Sequence, residues 1–155
     1  VGPLAQAAAY EAVGKQRERA PLEMLEAAAA KTVKTHAFDQ SGALSAMGYT
    51  RQEQASEYLL GKLNYGLMHY RVRDSILEAL ALLAPYSTKN MRARINERLI
   101  DALRDLQPGM PLAAARALKA AFCSEAIPAL ERLKDNLSFQ EAMLISNLIK
   151  ALQKG

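Results

Sequence analysis

Tryptophan is absent from this chain of 155 residues, and cysteine occurs only once, at Cys123. A single cysteine excludes an intramolecular disulfide, so we expect a fold held by its core in a reducing compartment, the cytoplasm. Charged residues interrupt every apolar stretch before it could span a membrane. The start, Val1-Gly2-Pro3, lacks both an initiator Met and the basic-then-apolar order of a signal peptide, so we expect a processed or trimmed chain.

Valine, isoleucine and threonine are sparse, whereas alanine and leucine dominate. Ala, Leu, Glu, Lys and Arg lose little conformational entropy in a helix, and no segment shows the alternation typical of a strand. Half of the residues are apolar and 23% are charged, which is a globular composition able to bury a core at this length. The composition therefore predicts an all-α protein.

About eight segments have apolar residues at helical spacing. Thr50-Arg51-Gln52-Glu53 and Ser138-Phe139-Gln140-Glu141 have the spacing of capping boxes, which predicts two helix starts. Pro85 and Gln107-Pro108-Gly109 predict two helix ends. The helix before the second of these ends is expected to bury Met91, Ile95, Leu99, Leu103 and Leu106.

The N-terminal third is predicted to be less regular. Apolar stripes indicate two helices, from Leu4 to about Arg19 and from Pro21 onward, that form a hairpin. Between Thr35 and Gly48 the periodicity fails while Ser, Gly and Asp collect, which predicts a loop. We therefore expect residues 1–48 to pack on helical repeats of residues 49–155, as one continuous domain.

Two parts of the C-terminal half resemble each other. Residues 100–105 and residues 130–135 share the order apolar, acidic, any residue, Leu, basic, Asp. Further upstream, Glu78-Ala79-Leu80-Ala81 matches Arg116-Ala117-Leu118-Lys119. Self-similarity at intervals of about 30 to 40 residues is typical of helical repeat proteins.

Residues 111–136 resemble one short HEAT-like unit, and residues 72–106 resemble another less closely. In that family a first helix ends, an acidic turn follows and an Ile-Pro-Ala-Leu segment starts the second helix, as Ser-Glu-Ala-Ile-Pro-Ala-Leu does here at residues 124–130. The chain has Phe122-Cys123 where the family commonly has glycine. The resemblance implies an α-α superhelix of helix hairpins, and stacked hairpins expose an extended surface for partners.

The whole net charge of +4 lies in residues 71–155, which carry thirteen basic and nine acidic residues. Six of the basic residues are close together in sequence near the junction of the repeats: Arg71, Arg73, Lys89, Arg92, Arg94 and Arg98. Such a set can bind an acidic protein or neutralise phosphates, and nearby tyrosines can stack on bases. A solvated helix face, partly neutralised by neighbouring carboxylates, explains the same residues.

No pattern predicts a catalytic, cofactor or metal site. His36 and His69 are the only histidines, and no Cys/His spacing supplies further metal ligands. Cys123 precedes a predicted helix start at Ser124, where the pKa of a thiol falls, yet no histidine is near it in sequence. Recurring carboxylates such as Asp101 have basic neighbours and are explained as ion pairs.

The sequence thus predicts a non-enzymatic protein-binding scaffold or adaptor, without cofactor or metal, whose six basic residues contact an acidic surface or peptide of another protein. The alternative is nucleic-acid binding through the basic face of residues 71–98. No membrane partner is expected, whereas self-association stays open because so few units leave terminal helices uncapped. Short HEAT-like units also resemble those of phycobilisome lyases, which is an analogy of fold alone.

Overall fold

The computed structural model describes residues 3–30, 37–63 and 68–155, and these residues form helices without any strand. The helices are α1 (Pro3–Gly14), α2 (Leu22–Ala30), α3 (Ala37–Met47), α4 (Glu53–Leu63), α5 (Tyr70–Leu83), α6 (Lys89–Ala102), α7 (Met110–Ala120), α8 (Ile127–Lys134) and α9 (Phe139–Lys154). The predicted all-α fold of about eight helices is confirmed. In this part of the chain, none of the helices has the length and apolar character that crossing a membrane requires.

The helices form a stack in which odd-numbered and even-numbered helices have different neighbours. The odd-numbered helices follow one another, since α1 packs on α3, α3 on α5, α5 on α7 and α7 on α9. The even-numbered helices lie against them, with α2 on α3, α4 on α5 and α6, α6 on α7, and α8 on α9. One continuous cluster of buried apolar side chains runs from Leu22 to Leu152, so each helix is stabilised by its neighbours in the stack.

The structure shows how consecutive helices pair, which the sequence leaves open. The two segments of similar sequence contain α5 and α6 (residues 72–106) and α7 and α8 (residues 111–136). In the structure, α6 packs more extensively on α7 than on α5, and α8 packs mainly on α9. Sequence similarity does not determine which of two neighbours each helix meets over the larger area.

The predicted loop between Thr35 and Gly48 is wrong, because Ala37–Met47 forms α3. This helix fully buries Leu44 and Met47 along with two alanines. Its apolar stripe is hard to recognise because most of its core positions hold Ala or Gly instead of large side chains. Both α1 and α2 pack on α3 and make little contact with each other, so the predicted hairpin of the first two helices is wrong and α3 is their common support.

Small residues let α1, α3 and α5 approach one another closely. A Cβ added at Gly14 would overlap the carbonyl group of Ala46, lying 2.9 Å from its carbon. A Cβ added at Gly48 would lie 2.8 Å from the Cα of Ala79 on α5. Real Cβ atoms do not approach backbone this closely, so these glycines determine the spacing of the first three odd-numbered helices.

The two predicted capping boxes have different outcomes. Ser138 is the N-cap of α9, where its Oγ accepts from the amide of Glu141 (3.3 Å) and donates to Glu141 Oε1 (2.8 Å). That prediction is confirmed. The Thr50 hydroxyl instead donates to the carbonyl of Met47 (2.8 Å) and accepts from the amide of Gln52 (3.2 Å), so it stabilises the end of α3 rather than the third residue of a helix.

The turn after α7 has a backbone geometry that is usually formed with glycine, although it contains none. The Phe122 amide donates to the carbonyl of Lys119 and the Cys123 amide donates to that of Leu118, both at 3.0 Å. This pair of hydrogen bonds is the Schellman motif, whose left-handed position is usually Gly. Phe122 occupies it with φ of 56°, so the turn forms with a residue other than glycine at its left-handed position.

We expect Gly14→Ala to lower the free energy of unfolding by about 2 kcal/mol, since the added methyl must displace the backbone of α3. Gly61→Ala is the matched control, because Gly61 lies in α4 with nothing within 4 Å of the added Cβ. At that exposed helical position alanine should stabilise by about 0.5–1 kcal/mol. Urea unfolding of both variants measures the difference, and equal behaviour would contradict the close approach of α1 and α3.

Candidate functional site

The six basic residues predicted as a contact surface do not lie together. Arg71 and Arg73 lie in the first turn of α5, and Lys89 is the first residue of α6. Farther along α6, Arg92 and Arg94 are two residues apart, which places them on roughly opposite sides of the helix. The set is therefore divided between two helices and at least two faces.

Arg73 is part of the core rather than the surface. Only 4% of the residue is exposed. Its Nε donates to Asp74 Oδ1 (2.9 Å) and its Nη1 donates to the carbonyl of Pro108 (2.8 Å). Gly109 gives it room, since a Cβ there would lie 3.1 Å from Nη2. Arg73 thus attaches the α6–α7 connection to α5, and it is unavailable to a partner.

Arg94 and Arg98 connect α6 to α4. Arg94 donates to both carboxylate oxygens of Glu57, at 2.5 and 3.0 Å, and this hydrogen bonding lowers the pKa of Glu57 and raises that of Arg94. Arg98 Nη2 donates to the carbonyl of Leu63 (3.3 Å). The shallow depression beside them is also lined by two carboxylates, Glu97 and Asp101, so its charge is mixed rather than basic.

A groove that the sequence did not predict lies at the C-terminal end of α6. It has a volume of about 500 Å³. It is lined by Ile100, Leu103, Arg104, Asp105, Leu106, Pro111, Ala129, Arg132, Leu133, Asn136 and Leu137. The groove lies where the end of α6, the start of α7 and α8 meet, and we call it the α6–α8 groove.

Leu106 is the most exposed large apolar residue in the described part of the chain, at 97%. The sequence predicted it as a core residue, continuing the stripe of Leu99 and Leu103. That prediction is wrong because α6 ends at Ala102, and beyond the helix end the helical period no longer determines where a side chain points. The Gln107-Pro108-Gly109 stop was a signal that the stripe ends earlier.

Positive charge borders the α6–α8 groove. Arg132 is exposed and has no hydrogen-bond or ion-pair partner among the residues that the structure describes. Arg104 forms an ion pair with Asp101 at 3.2 Å, with its side chain 80% exposed. Asp105, the one acidic residue in the lining, accepts from the amide of Gln107 (2.8 Å). The groove therefore combines an apolar floor with two accessible guanidinium groups.

Cys123 is buried, and its environment disfavours the thiolate. Burial, together with a hydrogen bond from its Sγ to Glu125 Oε2 (3.4 Å), raises the pKa of the thiol to about 11. A nucleophilic cysteine requires the opposite shift. Across residues 3–30, 37–63 and 68–155, no group of three His, Cys, Asp or Glu side chains is placed to hold a metal ion.

Comparison with known proteins adds no family assignment. No family model matches the chain, and the comparison with curated proteins gives no significant match.

Arg73→Ala should lower the free energy of unfolding by about 2 kcal/mol, because it removes two hydrogen bonds and leaves a void beneath the α6–α7 connection. Arg92→Ala, at an exposed position of α6, should change it by less than about 0.5 kcal/mol. Thermal and urea unfolding of the two variants would show the contrast. Equal effects would mean that Arg73 is an ordinary surface arginine.

The thiol of Cys123 should react with a disulfide reagent at pH 8 at least tenfold more slowly in the folded protein than in urea, because both burial and the raised pKa suppress the thiolate. A stability effect follows with a definite sign. Since the pKa is higher in the folded chain, the wild type should lose stability relative to Cys123→Ala as the pH rises from 9 towards 11. A fast folded-state reaction would contradict the buried position.

Proposed function

We propose that this chain is a non-enzymatic protein-binding scaffold, built like HEAT-type helical arrays, that holds its partner in the α6–α8 groove. A single buried cysteine fits a reducing compartment, so we place this role in the cytoplasm. The proposal keeps the class of function predicted from sequence and moves the contact surface from the six basic residues to the far end of α6.

Leu106 is the observation that carries the proposal. An isolated exposed leucine needs no explanation, but this one lies at an apolar groove with Leu103, Leu133 and Leu137. Exposed apolar surface bordered by polar residues is typical of protein-binding sites. A partner that covers the groove would bury Leu106, and the burial of one leucine contributes about 2 kcal/mol.

The two guanidinium groups at the groove indicate the chemistry of the partner. Arg104 and Arg132 would favour a partner whose apolar residues are flanked by Asp or Glu, as in an amphipathic acidic helix. Nucleic acid fits this site less well, because its phosphates gain nothing from an apolar floor. On the basic face of residues 71–98, moreover, Arg73 and Arg94 already bind groups of the chain itself.

We expect Leu106→Asp to abolish capture of the partner from a lysate of the native source, with at least a tenfold loss of affinity once the partner is identified. The matched control is Leu4→Asp, which also changes a strongly exposed leucine (81%) but lies in α1. Both baits should be used with and without nuclease, and eluates compared by mass spectrometry.

A partner that survives nuclease, is retained by Leu4→Asp and is lost by Leu106→Asp would support the groove as its site. Loss of all binding after nuclease would instead favour the nucleic-acid alternative. Equal retention by the two variants would refute the groove as the binding site.

A further inference from the structure

A second surface lies at the opposite end of α6, where the α1–α2, α3–α4 and α5–α6 connections meet. Arg17 donates through Nη1 to the carbonyl of Tyr49, and Gln52 Nε2 donates to the carbonyls of Arg17 (2.8 Å) and Ala20 (3.1 Å). These bonds join the first two connections. Arg51 reaches the third connection by lying over the ring of Tyr86. We call this surface, residues 15–20, 49–52 and 86–89, the basic edge.

Arg51 stacks on Tyr86 without satisfying its own hydrogen-bond donors. Its guanidinium carbon lies 3.7 Å from the centroid of the tyrosine ring. Within the described residues, Arg51 has no carboxylate or carbonyl partner. A stacked guanidinium presents its N–H groups at the edge of its plane, where they fit a carboxylate in bidentate geometry. Tyr86 is itself 59% exposed, so the pair is open to solvent.

The backbone of the basic edge is strained at two arginines. Arg17 and Arg51 have φ of 60° and 56°, in the left-handed region that favours glycine. Holding a bulky residue there costs about 1 kcal/mol or more. Strain of this kind persists where surrounding contacts enforce it, and here the enforced conformation places a guanidinium on an exposed ring.

The charge pattern of the basic edge fits separated carboxylates better than a run of phosphates. Arg17, Arg19, Arg51 and Lys89 are basic, whereas Glu18 lies between the first two. Lys15, which lies 5.1 Å from the Tyr49 ring, is already paired with Glu11 at 2.7 Å. A phosphate backbone has evenly spaced negative charges and would bring one close to Glu18. A protein segment can instead place its carboxylates only beside the arginines.

We propose that the basic edge binds an acidic segment of a second protein, with Arg51, oriented by Tyr86, as its main carboxylate-binding residue. This goes beyond the proposed function, since the α6–α8 groove lies at the other end of a helix of 14 residues, about 20 Å away. The two surfaces can be occupied together, which would bring two partners to one scaffold.

The test is titration of the full chain with the peptide N-acetyl-Glu-Ser-Glu-Ser-Glu-amide, whose carboxylates are separated, at low salt, followed by NMR of backbone amides and arginine Nε–H groups. We expect shifts concentrated at residues 49–52 and 86–89 and at the Arg51 Nε–H. Arg51→Gln should weaken binding about tenfold. The matched control Arg116→Gln removes another exposed arginine, in α7 and apart from both proposed surfaces, and should leave binding within about twofold.

Two further variants separate orientation from charge. Tyr86→Leu keeps every charge but removes the stacking surface, and it should weaken binding about threefold. Arg51→Lys keeps the charge but loses the bidentate geometry, so it should recover only part of the affinity. Leu106→Asp should leave the shifts at residues 49–52 and 86–89 unchanged, which keeps this result independent of the groove.

Three outcomes would overturn the proposal. Shifts spread over all basic residues, with Arg116→Gln as harmful as Arg51→Gln, would mean nonspecific charge attraction. Absence of shifts at the basic edge would mean that it binds no carboxylates. Tighter binding of a six-nucleotide oligothymidylate at the same residues would make nucleic acid the partner.

Discussion

The close approach of α1, α3 and α5 is the constraint on which the rest of the structure depends. Helix axes can come this near only if the facing positions carry almost no side chain, and Gly14, Ala46, Gly48 and Ala79 meet that condition. Because α3 packs on both α1 and α5, the spacing of these helices brings their connections near one another. Arg17 contacts Tyr49 there, and Arg51 contacts Tyr86.

The same stack gives the two ends of its helices different chemistry. At one end, the basic edge is built from polar connections stabilised by hydrogen bonds to backbone carbonyls. At the other end, α6 ends at Ala102 and Leu106 is exposed. The Arg73 side chain donates a hydrogen bond to the carbonyl of Pro108 in the same connection. Consecutive connections in a stack of helices lie at opposite ends of the helices, which keeps the two kinds of surface apart.

The sequence predicts those features that depend on local chemistry. The all-α class, the Ser138 cap and the end of α5 just before Pro85 all follow from propensity, capping and the chemistry of proline. Prediction from the sequence fails where contacts between residues distant in the chain determine the structure. The helix α3 is stabilised by its neighbours instead of by a large apolar stripe, and Arg73 is buried because a carbonyl distant in sequence accepts its hydrogen bond. No spacing rule connects residues 35 positions apart.

The three left-handed turns at Arg17, Arg51 and Phe122 also bear on how much sequence change the protein can tolerate. If each costs about 1 kcal/mol, together they consume a sizeable part of the 5–15 kcal/mol that keeps a typical domain folded. A glycine at any one of them would release that cost without disturbing the core. Phe122 is the position of choice for protein engineering, because its turn is apart from both proposed surfaces and the stability gained there could offset destabilising changes elsewhere.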